Sequence, residues 1–205
     1  MFSPAIQACL SMTEEPSGET TGSWSTAASG DDVGRNGTED AWATDRVQIR
    51  LGIYGGQQGR SVIRFPAVTI PANSTVTAAS ITAKAYGAGS SSGNGFIVYG
   101  LEGDTEQSEI DTEAEVDSLT RTATSVAVAE RDASAYTLGQ EITLVPDSAD
   151  FRAVVAEILA TSWTLGYDMG FDLVGNGGGY SSILNIATYD QDSYTMTLSV
   201  TYAAP

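Results

Sequence analysis

The residues of this chain that are able to do chemistry are almost all carboxylates. The sequence holds 26 Asp and Glu residues, no His and a single Cys, Cys9. Without His, the Ser-His-Asp and Cys-His arrangements of nucleophilic catalysis are excluded, as are His-based zinc sites. Paired carboxylates can hydrolyse glycosides, but among so many acids no single pair stands out. The composition therefore predicts a protein that is not an enzyme.

Calcium is the one metal for which the sequence offers candidate ligands. Asp190 and Asp192 have the D-x-D spacing of calcium loops built from oxygen ligands. The central Gly and closing Glu of an EF-hand are missing. The acidic segment 104–117 is a second candidate, and a solvated loop is the alternative in both places. We therefore predict no cofactor, with calcium at Asp190 and Asp192 as the alternative.

The charge of the chain limits the classes of partner. A formal net charge of −17 repels phosphate backbones and anionic membranes, so we expect neither nucleic acid nor a membrane as partner. It favours solubility, with cation binding or docking on a basic partner as alternatives. No stretch has the apolar length of a membrane span, and the N-terminus lacks the basic, apolar pattern of a signal peptide. We expect synthesis in the cytoplasm.

Two further patterns have a structural and a functional interpretation. The segment "GNGGGY" at 175–180 resembles a phosphate-binding loop in composition only, because no helix or Lys follows it, and we predict a hairpin around 175–179. Exposed aromatic rings stack on sugars, and the candidates are Trp42, Tyr54, Tyr99 and Tyr180. For Trp42, a place in the core is the alternative.

Alternating apolar and polar residues indicate the elements that position these groups. The segments "VQIRLGIY" (47–54), "RSVIRF" (60–65) and "YTMTLSVTY" (194–202) have the period of half-buried strands. One helix is predicted at about 148–162, after Asp147 or Ser148 as N-cap. Its apolar stripe has helical spacing and consists of Phe151, Val154, Val155, Ile158 and Leu159.

These elements predict an all-β fold, an antiparallel jelly-roll-like β-sandwich with one embedded helix that covers an open end. Residues 31–205 form the single sandwich domain, and residues 1–30 form an extended N-terminal arm. The arm either frays or orders against a neighbouring subunit. Its candidate docking residues are Phe2, Ile6, Leu10 and Trp24.

The stretch "RSVIRFPAVTIPANSTVTAASITAKAY" resembles the repeated pattern of the DNRLRE-type β-sandwich family. The matching features are "RF" at 64–65, "IPANSTV" at 70–76 and "ASI" at 79–81. The family's helix pattern is matched by Glu157, Ile158, Trp163 and Gly166. One position departs from the family, because Ala127 or Val128 replaces its usual Trp.

The resemblance implies a binding or structural function. Modules of this family occur in tailed-bacteriophage virion proteins and in secreted bacterial proteins, some of which bind polysaccharides. We therefore expect a non-enzymatic virion structural protein, made in the host cytoplasm and located on the capsid surface. It would act as a capsid decoration or cement protein, a homo-oligomer such as a trimer, bound to the major capsid protein or other virion proteins. The alternative is a carbohydrate-binding module or adhesin, including a tail-fibre or baseplate component.

Overall fold

The computed structural model describes residues 18–28, 31–35, 47–102, 113–161, 163–176 and 182–205. Within these ranges the chain forms twelve strands and two helices. In chain order they are β1 (Thr20–Ser25), β2 (Asp32–Arg35), β3 (Gln48–Tyr54), β4 (Gln57–Gln58), β5 (Arg60–Phe65), β6 (Thr75–Lys84), β7 (Phe96–Glu102), α1 (Glu113–Ser118), β8 (Thr120–Val128), β9 (Glu141–Val145), α2 (Ala149–Ala160), β10 (Met169–Gly175), β11 (Ser182–Ala187) and β12 (Thr197–Ala203).

The strands form three antiparallel sheets. Sheet A has the order β1-β12-β6-β9, sheet B has the order β2-β5-β10-β7-β8, and sheet C has the order β11-β3-β4. The first and last strands are neighbours, with Thr20 opposite Tyr202. This arrangement confirms the predicted all-β antiparallel sandwich.

One continuous core joins the three sheets. Its members alternate along the strands, as the period of two requires, so Ile63 and Phe65 of β5 are fully buried. At its centre, Phe171 of β10 contacts Phe65 edge-on, with ring centroids 6.1 Å apart. Phe171 also contacts Phe151 of α2 at 5.5 Å. The aromatic cluster therefore ties sheet B to the helix.

Helix α2 lies where the sequence predicts it, and its apolar stripe is buried throughout. It begins after Ser148, whose Oγ accepts a hydrogen bond from the Phe151 N–H at 3.1 Å. The helix contacts β6 of sheet A together with β7 and β8 of sheet B. It therefore closes the space between the two sheets, as predicted.

Replacing Ser148 with Ala should lower the free energy of unfolding by about 1 kcal/mol, because the first turn of α2 loses its capping acceptor. Urea denaturation measures the change. Ser148→Asp keeps an acceptor in the same place and should stay close to the wild type. An equal loss in both variants would show that the cap does not carry the effect.

The turn after β5 is fixed by hydrogen bonds within the "IPANST" segment and from Trp163. Trp163, just after α2, is buried and donates from Nε1 to the Ile70 carbonyl at 2.8 Å. The Ser74 hydroxyl donates to the Pro71 carbonyl at 2.8 Å, and Asn73 adopts a positive φ of 60°. The "IPANST" segment is thus a turn whose Ile70 is inserted into the core.

The predicted arm and the observed sandwich overlap. Strand β1 lies within residues 1–30, yet it pairs with β12 along its whole length. The stretch from Thr20 onward is therefore part of sheet A, and the boundary at residue 30 is too late in the chain. Its polar sequence "TTGSWS" has no apolar alternation, so pairing with β12 rather than local pattern makes it a strand.

The predicted hairpin around 175–179 is wrong. Strand β10 pairs with β5 and β7 in sheet B, whereas β11 pairs with β3 in sheet C. Gly175 of sheet B lies close to the backbone of β3 in sheet C. Only glycine fits there, because a Cβ would lie 2.0 Å from the Gly52 carbonyl oxygen. Residues 177–181 lie outside the described residues.

Candidate functional site

The outer face of sheet B carries a charged network centred on one buried carboxylate. The Asp172 side chain, in the middle of β10, has no solvent exposure. Arg60 of β5 donates to it from Nε at 3.1 Å and from Nη2 at 2.9 Å. Arg121 of β8 donates from Nε at 2.8 Å and from Nη2 at 2.5 Å. Two guanidinium groups therefore share one carboxylate in charge-assisted hydrogen bonds.

Strand geometry places these residues on a common face. Phe171 and Leu173 point into the main core, so Asp172 between them must point outward. Asp172 lies opposite Val62 of β5, and Arg60 is two residues from Val62 on the same side. The long Arg60 side chain reaches diagonally from β5 to the Asp172 carboxylate. The Arg121 side chain reaches the same carboxylate from β8, which lies on the opposite side of β10 in the sheet.

A pocket of about 320 Å³ opens beside this network and is lined by Arg60, Arg121, Asp117 and Leu119. We call it the arginine pocket. Asp117, on α1, is 61% exposed and accepts a hydrogen bond from Arg60 Nη1 at 2.5 Å. The Arg121 guanidinium lies over the Tyr99 ring, 4.6 Å from its centroid.

The hydrogen bonds in the pocket shift the pKa values of Arg60 and Asp117. Burial disfavours the charged form of Arg60, but hydrogen bonds to Asp172 and Asp117 outweigh it and raise the pKa of Arg60. The hydrogen bond from Arg60, and then its charge, hold the pKa of Asp117 below its ordinary value. The charges of Arg121 and Arg35 act in the same direction. The guanidinium groups of Arg60 and Arg121 are thus matched by the carboxylates of Asp172 and Asp117.

The sequence prediction did not single out this network. A signal was present, because Asp172 interrupts the apolar run "GFDLVG" of a predicted strand. A carboxylate buried in such a strand requires a cationic or hydrogen-bonding partner. The partners themselves are 112 and 51 residues away in sequence, and no local pattern identifies them.

The adjacent acids Asp31 and Asp32 have different hydrogen-bond partners, because Asp31 stands in a turn and Asp32 begins β2. Asp31 accepts from Arg64 Nε at 3.0 Å and Nη2 at 2.8 Å. Asp32 is fully buried and accepts from the Tyr189 N–H at 2.9 Å, while its Oδ1 has no partner among the described residues. Burial raises the pKa of Asp32 to about 8, and the charge of Asp190 adds to the rise.

The two candidate calcium ligands have different surroundings. Asp190 is half-buried, and its charge acts on Asp32. Asp192 is exposed, has a positive φ of 53°, and accepts from the Gln191 side chain at 2.7 Å. Among the described residues, no three His, Cys, Asp or Glu side chains come together as a metal site. Calcium binding at Asp190 and Asp192 stays the untested alternative to the prediction of no cofactor.

Two of the four candidate sugar-stacking rings lie in the described chain, and each has an arginine over one face. Arg50 lies 4.4 Å from the centroid of Tyr54, and Arg121 covers Tyr99. These faces are not available to a sugar in this conformation. Trp42 and Tyr180 lie outside the described residues.

Among the described strands, β1 lies at an edge of sheet A, and residues 18 and 19 precede it. On the outer face of the sheet, side-chain hydroxyls of β1 contact those of β12 in three pairs, with oxygens 2.9–3.2 Å apart. The pairs are Thr21–Thr201, Ser23–Ser199 and Ser25–Thr197. On the inner face of the sheet, the Trp24 side chain is half-buried against the main core.

Of the four candidate docking residues, the structure describes Trp24. Trp24 packs on its own sandwich, and its indole ring lies directly over Gly22, where a Cβ would come within 2.2 Å of it. Phe2, Ile6 and Leu10 lie outside the described residues. None of the helices in the described part of the chain is long and apolar enough to span a membrane.

Comparison with known proteins gives no relative to transfer a function from. No protein-family model matches the chain, and no curated protein matches it significantly. The resemblance to the DNRLRE-type family therefore rests on the quoted motifs.

Proposed function

We propose that this chain is a non-enzymatic structural protein of a tailed-bacteriophage virion, namely a capsid decoration or cement protein. The observation that supports it best is the position of β1. The residues before it enter the sandwich at a sheet edge, and an edge strand presents backbone N–H and C=O groups to which a partner can add a strand.

The amino-terminal residues supply the apolar part of the contact. Phe2, Ile6 and Leu10 share a stripe at helical spacing. Each contributes about 1.5–3 kcal/mol when a capsid surface buries it. Several copies bound to one particle add avidity, because each new contact is local once the first has formed.

Removing residues 1–17 should weaken binding to particles stripped of this protein by at least about 100-fold, because the apolar stripe is lost. The deletion leaves β1 and its pairing with β12 in place, so the thermal stability of the sandwich should stay close to that of the full chain. Co-sedimentation with stripped particles measures the binding.

Two controls sharpen this test. Replacing Phe2, Ile6 and Leu10 together with Ser keeps the chain length and should cause the same loss. Replacing the exposed Leu165 with Ser removes an apolar side chain elsewhere and should have no effect. Undiminished binding of the shortened chain would contradict docking through the N-terminal residues.

A further inference from the structure

The outer edge of β1 carries main-chain groups that no described residue hydrogen-bonds. Thr26, just after β1, donates from its N–H to the carbonyl of Met196 at 3.0 Å, in the register of the β1–β12 pair. The even-numbered residues of β1 therefore direct their N–H and C=O groups toward β12. Ala27 points the opposite way, and its N–H donates to the Asp31 carboxylate at 2.8 Å. The residues that present N–H and C=O groups at the outer edge are thus Thr21, Ser23 and Ser25.

Side chains block two other edge strands of the sandwich, β9 of sheet A and β8 of sheet B. At β8, the Glu157 carboxylate of α2 accepts from the N–H groups of Ala123 and Thr124 at 2.6 and 2.9 Å. At β9, Arg131 donates to the Leu144 carbonyl at 2.9 Å. These side chains occupy main-chain groups that an added strand would need. Strand β1 has no such cover among the described residues, and its sequence "TTGSWS" contains no charge or Pro that would oppose strand addition.

The sequence of β1 is complementary to a second, antiparallel copy of itself. With a two-fold axis through Ser23, this residue faces its own counterpart, and Thr21 of each copy faces Ser25 of the other. These are the residues with outward main-chain groups, so each facing pair exchanges two hydrogen bonds. On the inner face, Trp24 of one copy faces Gly22 of the other. A glycine in that place leaves room for the indole ring, and an aromatic ring packs well on an edge glycine.

The distribution of charge permits two acidic chains to meet at this edge. Strand β1 is uncharged, and Glu19, the nearest acid before it, faces Ala27 of the other copy in this register. No two acids are therefore brought opposite each other. The net charge of −17 opposes association at long range, but at physiological salt this field is screened beyond about 8 Å. Contacts along the neutral edge then decide whether two copies pair.

We propose that β1 pairs with β1 of a second copy of this chain about a two-fold axis through Ser23, which joins the two copies of sheet A into one continuous sheet. The partner that adds a strand at this edge is thus the chain itself. A contact of this symmetry produces a dimer and not the trimer that the resemblance implies. The dimer brings two amino-terminal segments together, and only this consequence, docking on one particle with avidity, rests on the proposed function.

Sedimentation velocity of the full chain measures this association, in a concentration series up to about 0.5 mM and at about 0.15 M salt. The wild type should form a dimer within this range. Ser23→Lys should weaken dimerisation at least about tenfold, because two like charges then meet at the axis. Ser199→Lys is the matched control, because Ser199 lies beside Ser23 on the same face but on β12, one strand in from the edge. It should dimerise as the wild type does, within about twofold.

A charge swap tests the position of the axis. Ser23→Glu alone should dimerise as weakly as S23K, whereas an equal mixture of S23E and S23K should regain the dimer, because opposite charges then face each other. Only a contact in which this residue faces its own counterpart predicts that rescue. A wild type that stays monomeric at every concentration, unchanged dimerisation of S23K, equal weakening by S23K and S199K, or a mixture no more dimeric than its components would each overturn the proposal. These measurements need no particles, so their outcome is independent of the co-sedimentation test of the proposed function.

Discussion

Replacing Asp172 with Asn should lower the free energy of unfolding by about 3–5 kcal/mol, the cost of removing one partner from a buried ion pair. Asn keeps the shape of the side chain but not its charge. Arg60, whose side chain is only 11% exposed, and Arg121 would then lose the buried counter-ion that they share. Urea denaturation followed by tryptophan fluorescence measures the loss.

The controls for this prediction come from the same network. Asp117→Asn removes the exposed acid of the pocket and should leave stability close to the wild type, because exposed pairs contribute little. Adding Arg121→Gln to the D172N variant removes one of the two cations that have lost this buried counter-ion and should restore part of the lost stability. A D172N protein as stable as the wild type would show that the network is not part of what stabilises sheet B.

The second large effect is a loss of stability with rising pH, caused by Asp32. Its pKa is about 8 in the folded state, against an ordinary value of 3.8. Between about pH 4 and pH 8 the folded state therefore holds a proton that the unfolded state has released. Stability falls as pH rises through this window, by about 3–6 kcal/mol in total.

Replacing Asp32 with Asn should remove this dependence. Its side-chain carbonyl can still accept from the Tyr189 N–H, but nothing ionises. The D32N variant should match the wild type near pH 4 and exceed its stability by about 3–6 kcal/mol at pH 8. Urea denaturation of both proteins at pH 4, 6 and 8 measures the difference.

Asp31 and Asp147 serve as comparisons for Asp32, because their carboxylates are paired with arginines. Asp31→Asn breaks the ion pair with Arg64 and should destabilise the protein at pH 8, although it removes the same charge next door. Asp147, whose pKa is lowered to about 2 by hydrogen bonds from Arg152 and the Ala79 N–H, loses its contribution only below about pH 4. A constant difference between D32N and wild type at all three pH values would contradict a buried, protonated Asp32.

The parts of the fold that the sequence predicts are those with a local apolar period. The α2 stripe and the strands at 48–54, 60–65 and 197–203 follow from the spacing of Val, Ile, Leu and Phe. Strand β1 could not be predicted in this way, because Thr, Ser and Gly become a strand only by pairing with a chain segment about 175 residues away. The glycine-rich segment after β10 predicts a hairpin, but Gly175 lies where two backbones approach closely, and glycine is required there for that reason.

The site residues illustrate the same limit. Asp172 is visible in the sequence as an acid between apolar strand residues, whereas Asp32 stands in the polar, glycine-containing segment "GDDVGR". Whether a buried acid is paired or protonated depends on strand register between distant segments. That register places Arg60 and Arg121 around Asp172, and it leaves Asp32 Oδ1 without a hydrogen-bond partner among the described residues. Local sequence indicates that Asp172 is unusual, and only the assembled sheets show the surroundings of either acid.

The most direct test of the proposed virion function is immunogold labelling of purified tailed-phage particles, from the lysate that contains this protein, with an antibody raised against the chain. A decoration protein predicts gold distributed over the outer surface of the heads. Unlabelled particles, with the antigen left in the cell-derived fraction of the lysate, would contradict the virion function and favour the carbohydrate-binding alternative.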